Sequence, residues 1–139
     1  YGGNLLDNFT LTFENGRIVD VKAEQGEEIL KKLVETDEGS RYLGEIALVP
    51  HSSPISQSGL LFYNTLFDEN ASNHLAIGNG YAFCIEGGKN MSEEELEKHG
   101  VNSSMTHVDF MIGSAEMDID GIKEDGSVEP IFRNGNWAF

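Results

Sequence analysis

The run Val108-Asp-Phe-Met-Ile112 constrains this chain more than any other five residues. Four of its members are apolar and one is a carboxylate. A short continuous apolar run of this kind predicts a buried strand. Successive strand side chains point to opposite faces, so His107 and Asp109 share one face while Val108 and Phe110 take the other. A carboxylate on a buried strand is costly unless a cation or hydrogen-bond donors compensate it. Two arrangements meet that demand. His107 and Asp109 can form a hydrogen-bonded core pair, or they can grip one metal ion or two neighbouring ones. The strand by itself leaves both open.

Further candidate ligands lie upstream. In Leu61-Phe-Tyr-Asn-Thr-Leu-Phe-Asp-Glu-Asn-Ala-Ser-Asn-His-Leu-Ala-Ile-Gly78, Glu69 and His74 flank a short Asn/Ser-rich bend, and each adjoins an apolar run. In Gly44-Glu-Ile-Ala-Leu-Val-Pro50, Glu45 stands at the mouth of an apolar strand. Glu45, Glu69, His74, His107 and Asp109 together offer carboxylate oxygen and imidazole nitrogen without a thiolate. That donor set suits zinc, cobalt or manganese in a hydrolytic site. Several carboxylates with only two imidazoles suit a pair of ions about 3.5–4 Å apart better than one tetrahedral ion. Singly, each residue has a plainer reading. Glu45 can be a solvated strand end, His74 a satisfied core histidine, and Glu69 beside Asp68 an acidic turn.

The remaining elements follow from periodicity. Asn8 to Phe13 and Arg17 to Ala23 alternate on either side of Glu14-Asn15-Gly16, which predicts a hairpin. Gln25 to Thr36 carries Ile29, Leu30, Leu33 and Val34 at the spacing of an amphipathic helix, with Gly39 as its stop. Glu45 to Val49 reads as a strand, Pro50 to Gly59 as a loop, and Leu75 to Ile85 as extended chain. Tyr63 to Phe67 is ambiguous between strand and helix. Ser92 opens a short helix with Glu95 completing a capping box and Gly100 ending it, so its acidic run is helix electrostatics rather than a metal site. Met117 to Ile122 and Val128 to Phe132 form a second hairpin around Glu124-Asp-Gly126. Helices between antiparallel hairpins, rather than alternating βαβ units, give an α+β class. No internal boundary is visible, so residues 1–139 are expected to form a single domain.

Other candidate residues carry less weight. His99 ends a helix, where the dipole favours a cation, and it is a poor ligand. His51 follows a strand end and could stand behind a ligand or on the substrate side. Ser56 and Ser58 lack a G-x-S-x-G elbow and read as turn formers. Asp118-Ile-Asp-Gly121 lacks the further spaced oxygens and the terminal Glu of a calcium loop. The lone Cys84, among apolar neighbours, is expected to be an inert buried thiol.

Charge narrows the partners. The 24 acidic against 9 basic residues leave a formal charge of −15, which opposes nucleic acid and anionic membrane surfaces as partners. No apolar run approaches the length of a membrane span. A cytoplasmic protein is the default reading.

Five blocks then carry a resemblance. Leu43-Gly-Glu-Ile-Ala-Leu-Val-Pro50, Ser53-Pro-Ile-Ser-Gln-Ser-Gly59, Phe62-Tyr-Asn-Thr-Leu-Phe-Asp-Glu-Asn70, Asn73-His-Leu-Ala-Ile-Gly78 and His107-Val-Asp-Phe-Met-Ile-Gly113 resemble, in order, the thermophilic aminopeptidase family of dinuclear metallopeptidases. The resemblance runs from about Gly2 to Trp137. It implies that Glu45, Glu69, His74, His107 and Asp109 lie in or next to a two-metal centre and that Tyr81 assists catalysis. It implies an activity as well: removal of amino-terminal residues from peptides by a water activated between two divalent ions, with Glu69 a candidate general base. Members of the family are longer two-domain chains that resemble homodimers. This chain is expected to be a carboxy-terminal piece, lacking the amino-terminal domain and a further liganding glutamate. Incomplete ligation would then weaken metal binding, and little activity is expected of the piece alone. The rival reading is a non-catalytic binding or assembly module whose His/Glu/Asp set is a structural polar core. A related metallohydrolase such as an amidase would share the site and differ in its substrate cleft.

Overall fold

Asn15 and Gly16 turn the chain back on itself with φ of 50° and 80°, the positive values that a tight hairpin turn needs and that Asn-Gly supplies at low cost. A computed structural model describes residues 1–139. In it β1 (Asp7–Glu14) pairs antiparallel with β2 (Arg17–Gln25). The register places Phe13 opposite Ile18 but Thr12 opposite Asp20, so Val19 is an extra residue, a bulge. That bulge changes which side chains share a face. Ile18 and Val21, three residues apart, are both buried, while Val19 is 46% exposed.

The helix α1 (Glu27–Val34) buries Leu30, Leu33 and Val34. It is shorter at both ends than the periodicity predicts. Gly26 precedes it in the left-handed region at φ 82°, and the chain leaves the helix at Glu35, before Gly39. Beyond it, Asp37 organises the chain. Its carboxylate accepts the backbone N–H groups of Ser40 at 2.8 Å and Met105 at 2.7 Å and the Ser104 hydroxyl at 2.8 Å. The turn containing Gly39–Arg41 is thereby fastened to the segment that leads into a later strand.

β3 (Leu43–Ala47), β4 (His74–Gly78) and β5 (His107–Met111) form a three-stranded sheet in the order β3-β4-β5. β4 is the most buried of them, with Ala76, Ile77 and Gly78 all inaccessible. β3 starts and ends two residues earlier than expected. β5 is half-buried rather than fully buried, and Met111 is exposed at its end, while one carboxylate oxygen of Asp109 is itself buried. The stretch expected to be extended to Ile85 departs from strand geometry after Gly78 (φ 102°) and enters a 3-10 turn at Ala82–Cys84. Cys84 is exposed, not buried, because that turn carries it off the sheet.

The loop expected from Pro50 to Gly59 contains a short helix, α2 (Pro54–Ser58). Ser53 caps it by accepting the Ser56 N–H, Pro54 opens it, and Gly59 closes it at φ 63°. Serine and proline act here as helix punctuation rather than as loop formers. The ambiguous stretch is helical, as α3 (Thr65–Asp68), capped by the Asn64 side chain. In α4 (Glu93–Lys98) the Ser92–Glu95 capping box is complete. Gly100 follows it at φ 82°.

At the carboxy-terminal end, β6 (Ile119–Ile122), β7 (Val128–Arg133) and β8 (Asn136–Trp137) form a third sheet in that order. Phe132 is fully buried and meets Trp137 edge-on at 4.4 Å. Asp118 accepts the Asn134 N–H, and Asp120 pairs with Arg133; these are hairpin contacts. Four helices and three small sheets make the class α+β.

By packing, the chain divides into two compact units, Tyr1–Glu45 with Ala76–Val108, and Ile46–Leu75 with Asp109–Phe139. Ile18, Val21, Leu30, Leu33, Val34, Ala76 and Ile77 are the buried apolar side chains of the first, and Phe132 is that of the second. No helix is long and apolar enough to cross a membrane.

Two outcomes follow for stability. Leu30→Ala empties a filled position in the first unit and should cost about 2–5 kcal/mol by chemical denaturation. Hydrogen bonds, foremost from the Met105 N–H, hold the Asp37 carboxyl below its ordinary pKa, against an opposing effect of burial. Stability of that origin is fully present above the unfolded carboxyl pKa and is lost as pH falls through the lowered native value. Asp37→Asn should therefore be less stable than the native chain at neutral pH. Its urea midpoint should also depend less on pH in the acid range below about pH 4.

Candidate metal centre

The second unit brings three of the expected ligands together. Glu69, His74 and Asp109 each offer one ligand atom, and these atoms lie within 4.8 Å of one another. Local sequence explains how. The Asp68 carboxylate accepts the Phe62 and Asn64 N–H groups at 2.8 and 2.9 Å, closing the loop ahead of α3. Glu69 then opens the 3-10 turn Glu69–Ala71, and His74 begins β4. Between them Asn73, buried, accepts the Val49 N–H on its side-chain oxygen at 2.6 Å. Its backbone carbonyl accepts the N–H groups of Ile112 and Gly113. Asn73 therefore locks the strand ends around His74. Two carboxylates as close as Glu69 and Asp109 repel by roughly 3 kcal/mol when both are charged, at an effective dielectric of about 20. A cation among them reverses that sign.

His74 is 3% exposed, and its Nδ1 lies 3.1 Å from the Ser72 carbonyl. A carbonyl only accepts, so Nδ1 donates to it, and in a neutral ring the lone pair is then on Nε2, the form in which imidazole binds metals.

The first unit repeats the device. His107 Nδ1 lies 2.7 Å from the Asn79 carbonyl and therefore donates to it. Nε2 faces Glu45 Oε2 at 3.5 Å. In a neutral imidazole with its proton on Nδ1 this faces a lone pair towards a carboxylate, an arrangement that a shared cation favours. A proton on Nε2 would supply one, giving an ion pair; a divalent ion would supply another. His107 and Asp109 are alternate residues of β5, so strand geometry sends both to one face. Tyr81 is 39% exposed, and its ring lies 4.8 Å from the His107 ring and 5.2 Å from Phe83.

The approach to Asn79 depends on glycine. At Gly44, the residue before Glu45, a Cβ would overlap the carbonyl oxygens of Gly78 and Asn79. The sequence pair Gly44-Glu45 is thus one feature: the glycine admits the turn that orients His107, and the glutamate faces His107.

His51 and His99 belong to neither group. The His51 Nδ1 lies 3.3 Å from Ser56 Oγ on an exposed surface, and His99 Nδ1 lies 2.7 Å from the Glu95 carbonyl at a helix end. Ser58 donates to the Ile55 carbonyl, a helix-end contact. Asn73, Asn79 and Ser72, which orient the candidate ligands, act through backbone carbonyls, for which side-chain chemistry carries no signal.

An α+β chain whose glutamate, histidine and aspartate side chains converge in this way has the make-up of a metal-dependent hydrolase domain. The model of the thermophilic metalloprotease (M29) family matches residues 1–137, and the chain belongs to that family. Aminopeptidase AmpS of Bacillus subtilis (strain 168) is 78% identical over 139 residues, 100% of this chain and 34% of that protein. Aminopeptidase 2 of Geobacillus stearothermophilus is 63% identical over 100% of this chain and 34% of its own length. The solved structure of wild-type AmpT from Thermus thermophilus matches with a TM-score of 0.90 at 50% identity, covering 100% of this chain and 34% of that one. The chain thus spans about a third of the length of these relatives.

Gly44→Ala should displace the Gly78–Asn79 backbone and with it His107. A cost of about 1–3 kcal/mol is expected from overpacking, read by thermal unfolding. Zinc affinity should fall in the same protein, read by calorimetric titration.

Proposed function

We propose that this chain is the metal-bearing part of an aminopeptidase that releases amino-terminal residues from peptides. The observation that carries the reading is the convergence of Glu69, His74 and Asp109 within 4.8 Å. Two divalent ions are assigned, zinc, cobalt or manganese. One is held by Glu69 and His74, the other by Glu45 and His107, and Asp109 contributes from the strand that carries His107. The donor set of carboxylate oxygen and imidazole nitrogen fits such ions, and the acceptor-to-acceptor contact of His107 with Glu45 supports a cation there. Bound ions of this kind supply Lewis acidity and a water acidified towards neutrality.

The chain's own residues then have distinct tasks. The Ser72 and Asn79 carbonyls hold both imidazoles with Nε2 outward. Tyr81, against His107, donates its phenolic hydrogen to the oxyanion that develops at the scissile carbonyl. Glu69 serves as ligand or takes the proton of the attacking water. The acidic surface favours a substrate with a cationic amino terminus. The relatives, both named as aminopeptidases, support the peptide substrate. Full activity, a homodimeric assembly and a cytoplasmic location are assigned to the longer protein, with little hydrolysis by these 139 residues alone.

Calorimetric titration of the chain with zinc and with cobalt tests the centre. Saturable binding is expected, with a loss of at least about tenfold in affinity in the His74→Ala, Asp109→Ala double variant. Equal binding by both proteins would overturn the ligand assignment. Activity is tested in a protein of the relatives' length carrying this sequence. Peptides with a free amino terminus should be cleaved, Nα-acetylated ones should not, and Tyr81→Phe should lower kcat more than it raises KM. Cleavage indifferent to acetylation would rule out an aminopeptidase.

A further inference from the structure

We infer that Asn102 positions His107 for metal binding by clamping the turn whose carbonyl sets the tautomer of that histidine. The inference rests on the reading of Glu45 and His107 as metal ligands.

Asn102 does not touch His107 through any contact described above; it holds the residues on both sides of Asn79. Its side-chain Nδ2 donates to the Gly78 carbonyl at 2.6 Å and to the Gly39 carbonyl at 2.8 Å. Its backbone carbonyl accepts the Gly80 N–H at 2.8 Å. Asn79 is therefore bracketed by one residue, from the carbonyl before it to the N–H after it. Further bonds complete the frame. The Asn79 N–H donates to the Thr106 carbonyl at 2.7 Å, next to His107 in sequence, and the Asn79 side chain donates to the Gly80 carbonyl at 2.8 Å. What this frame leaves to Asn79 is its carbonyl, and that carbonyl accepts His107 Nδ1–H at 2.7 Å.

The chemistry of the clamp is specific. Two carbonyls need two N–H donors on one planar group, and an amide supplies both. Aspartate has the same shape and no donor, so it would set a carboxylate against two carbonyl oxygens. Without the clamp, the Asn79 carbonyl is free to turn. His107 could then move its proton to Nε2 and donate it to Glu45, the arrangement that removes the metal-binding lone pair. Partners that orient a liganding histidine commonly change metal affinity by about 10–100-fold when lost.

The test uses the 139-residue chain itself. Nitrogen-15 NMR of metal-free protein at about pH 9, above the ordinary imidazole range, reports the His107 tautomer without any variant. The Nδ1–H form is expected; a dominant Nε2–H form would overturn the inference outright. In Asn102→Ala and Asn102→Asp the Nε2–H form should grow, and cobalt affinity by calorimetry should fall about tenfold or more. Ser127→Ala, which removes a hairpin-turn hydrogen bond to Asp125 far from this frame in sequence, controls for lost stability and should bind cobalt as the native chain does. Native affinity and an unchanged tautomer in the Asn102 variants would refute the positioning role while leaving the metal centre standing. Absence of cobalt binding in the native chain, with the tautomer shift intact in the variants, would instead remove the metal reading and keep the clamp. Variants that do not fold leave the native tautomer as the deciding measurement.

Discussion

His107 donates through Nδ1 to a backbone carbonyl and turns Nε2 towards the Glu45 carboxylate, and much of the first unit serves that arrangement. A carbonyl accepts at both lone pairs and never donates, so the 2.7 Å contact with Asn79 makes Nδ1 a donor, and in a neutral ring the lone pair is then on Nε2. The opposite nitrogen then confronts a carboxylate at 3.5 Å. Such a contact is unfavourable in a neutral protein and favourable around a cation. Gly44 without a Cβ, Gly78 at φ 102° and Asn102 with two donors all bear on one outcome, the placing of the Asn79 carbonyl. A carbonyl held in place this firmly suits the cation proposed at Nε2.

His74 uses the same logic with different parts. Its carbonyl partner belongs to Ser72, two residues earlier, so the constraint is built into the entry to β4 rather than brought from afar. Asn73 between them is buried and binds backbone on both sides. Burial raises the cost of any unsatisfied polar group, which makes Asn73 a stiff hinge pin. One histidine is oriented by its own turn and the other by a frame of hydrogen bonds from residues far away in sequence. Backbone carbonyls serve both.

Side-chain chemistry and periodicity were legible in the sequence; backbone geometry largely was not. The Asn15-Gly16 hairpin, the amphipathic face of α1 and the Ser92–Glu95 capping box follow from short-range rules and are present as read. The five ligand candidates were found because carboxylates and imidazoles beside apolar strands are chemically conspicuous. The misses share a cause. Helix α2 looks like a loop in sequence because Ser53, Pro54 and Gly59 mark turns as well as helix ends, and five residues leave no periodicity to weigh. The apolar neighbours of Cys84 point to the interior, yet a 3-10 turn after Gly78 carries it outward. The Val19 bulge escaped because an extra residue in one strand is defined only by its partner strand.

Chain connectivity explains why no boundary was visible. The two packing units are each assembled from two separated stretches, and the changes from one to the other fall inside β3, β4 and β5. A boundary is legible in sequence when it coincides with a linker rich in glycine, proline or polar residues. Here it coincides with strands, whose composition is dictated by pleat and burial. Residues at such positions answer to strand alternation and to ligand chemistry at once, as His107 and Asp109 do two residues apart on β5. The alternation that places them on one face would be served by any polar pair. An imidazole that donates through Nδ1, two residues from a carboxylate, is the narrower pattern that the proposed metal ligation asks for, and that coincidence is what separates this strand from an ordinary half-buried one.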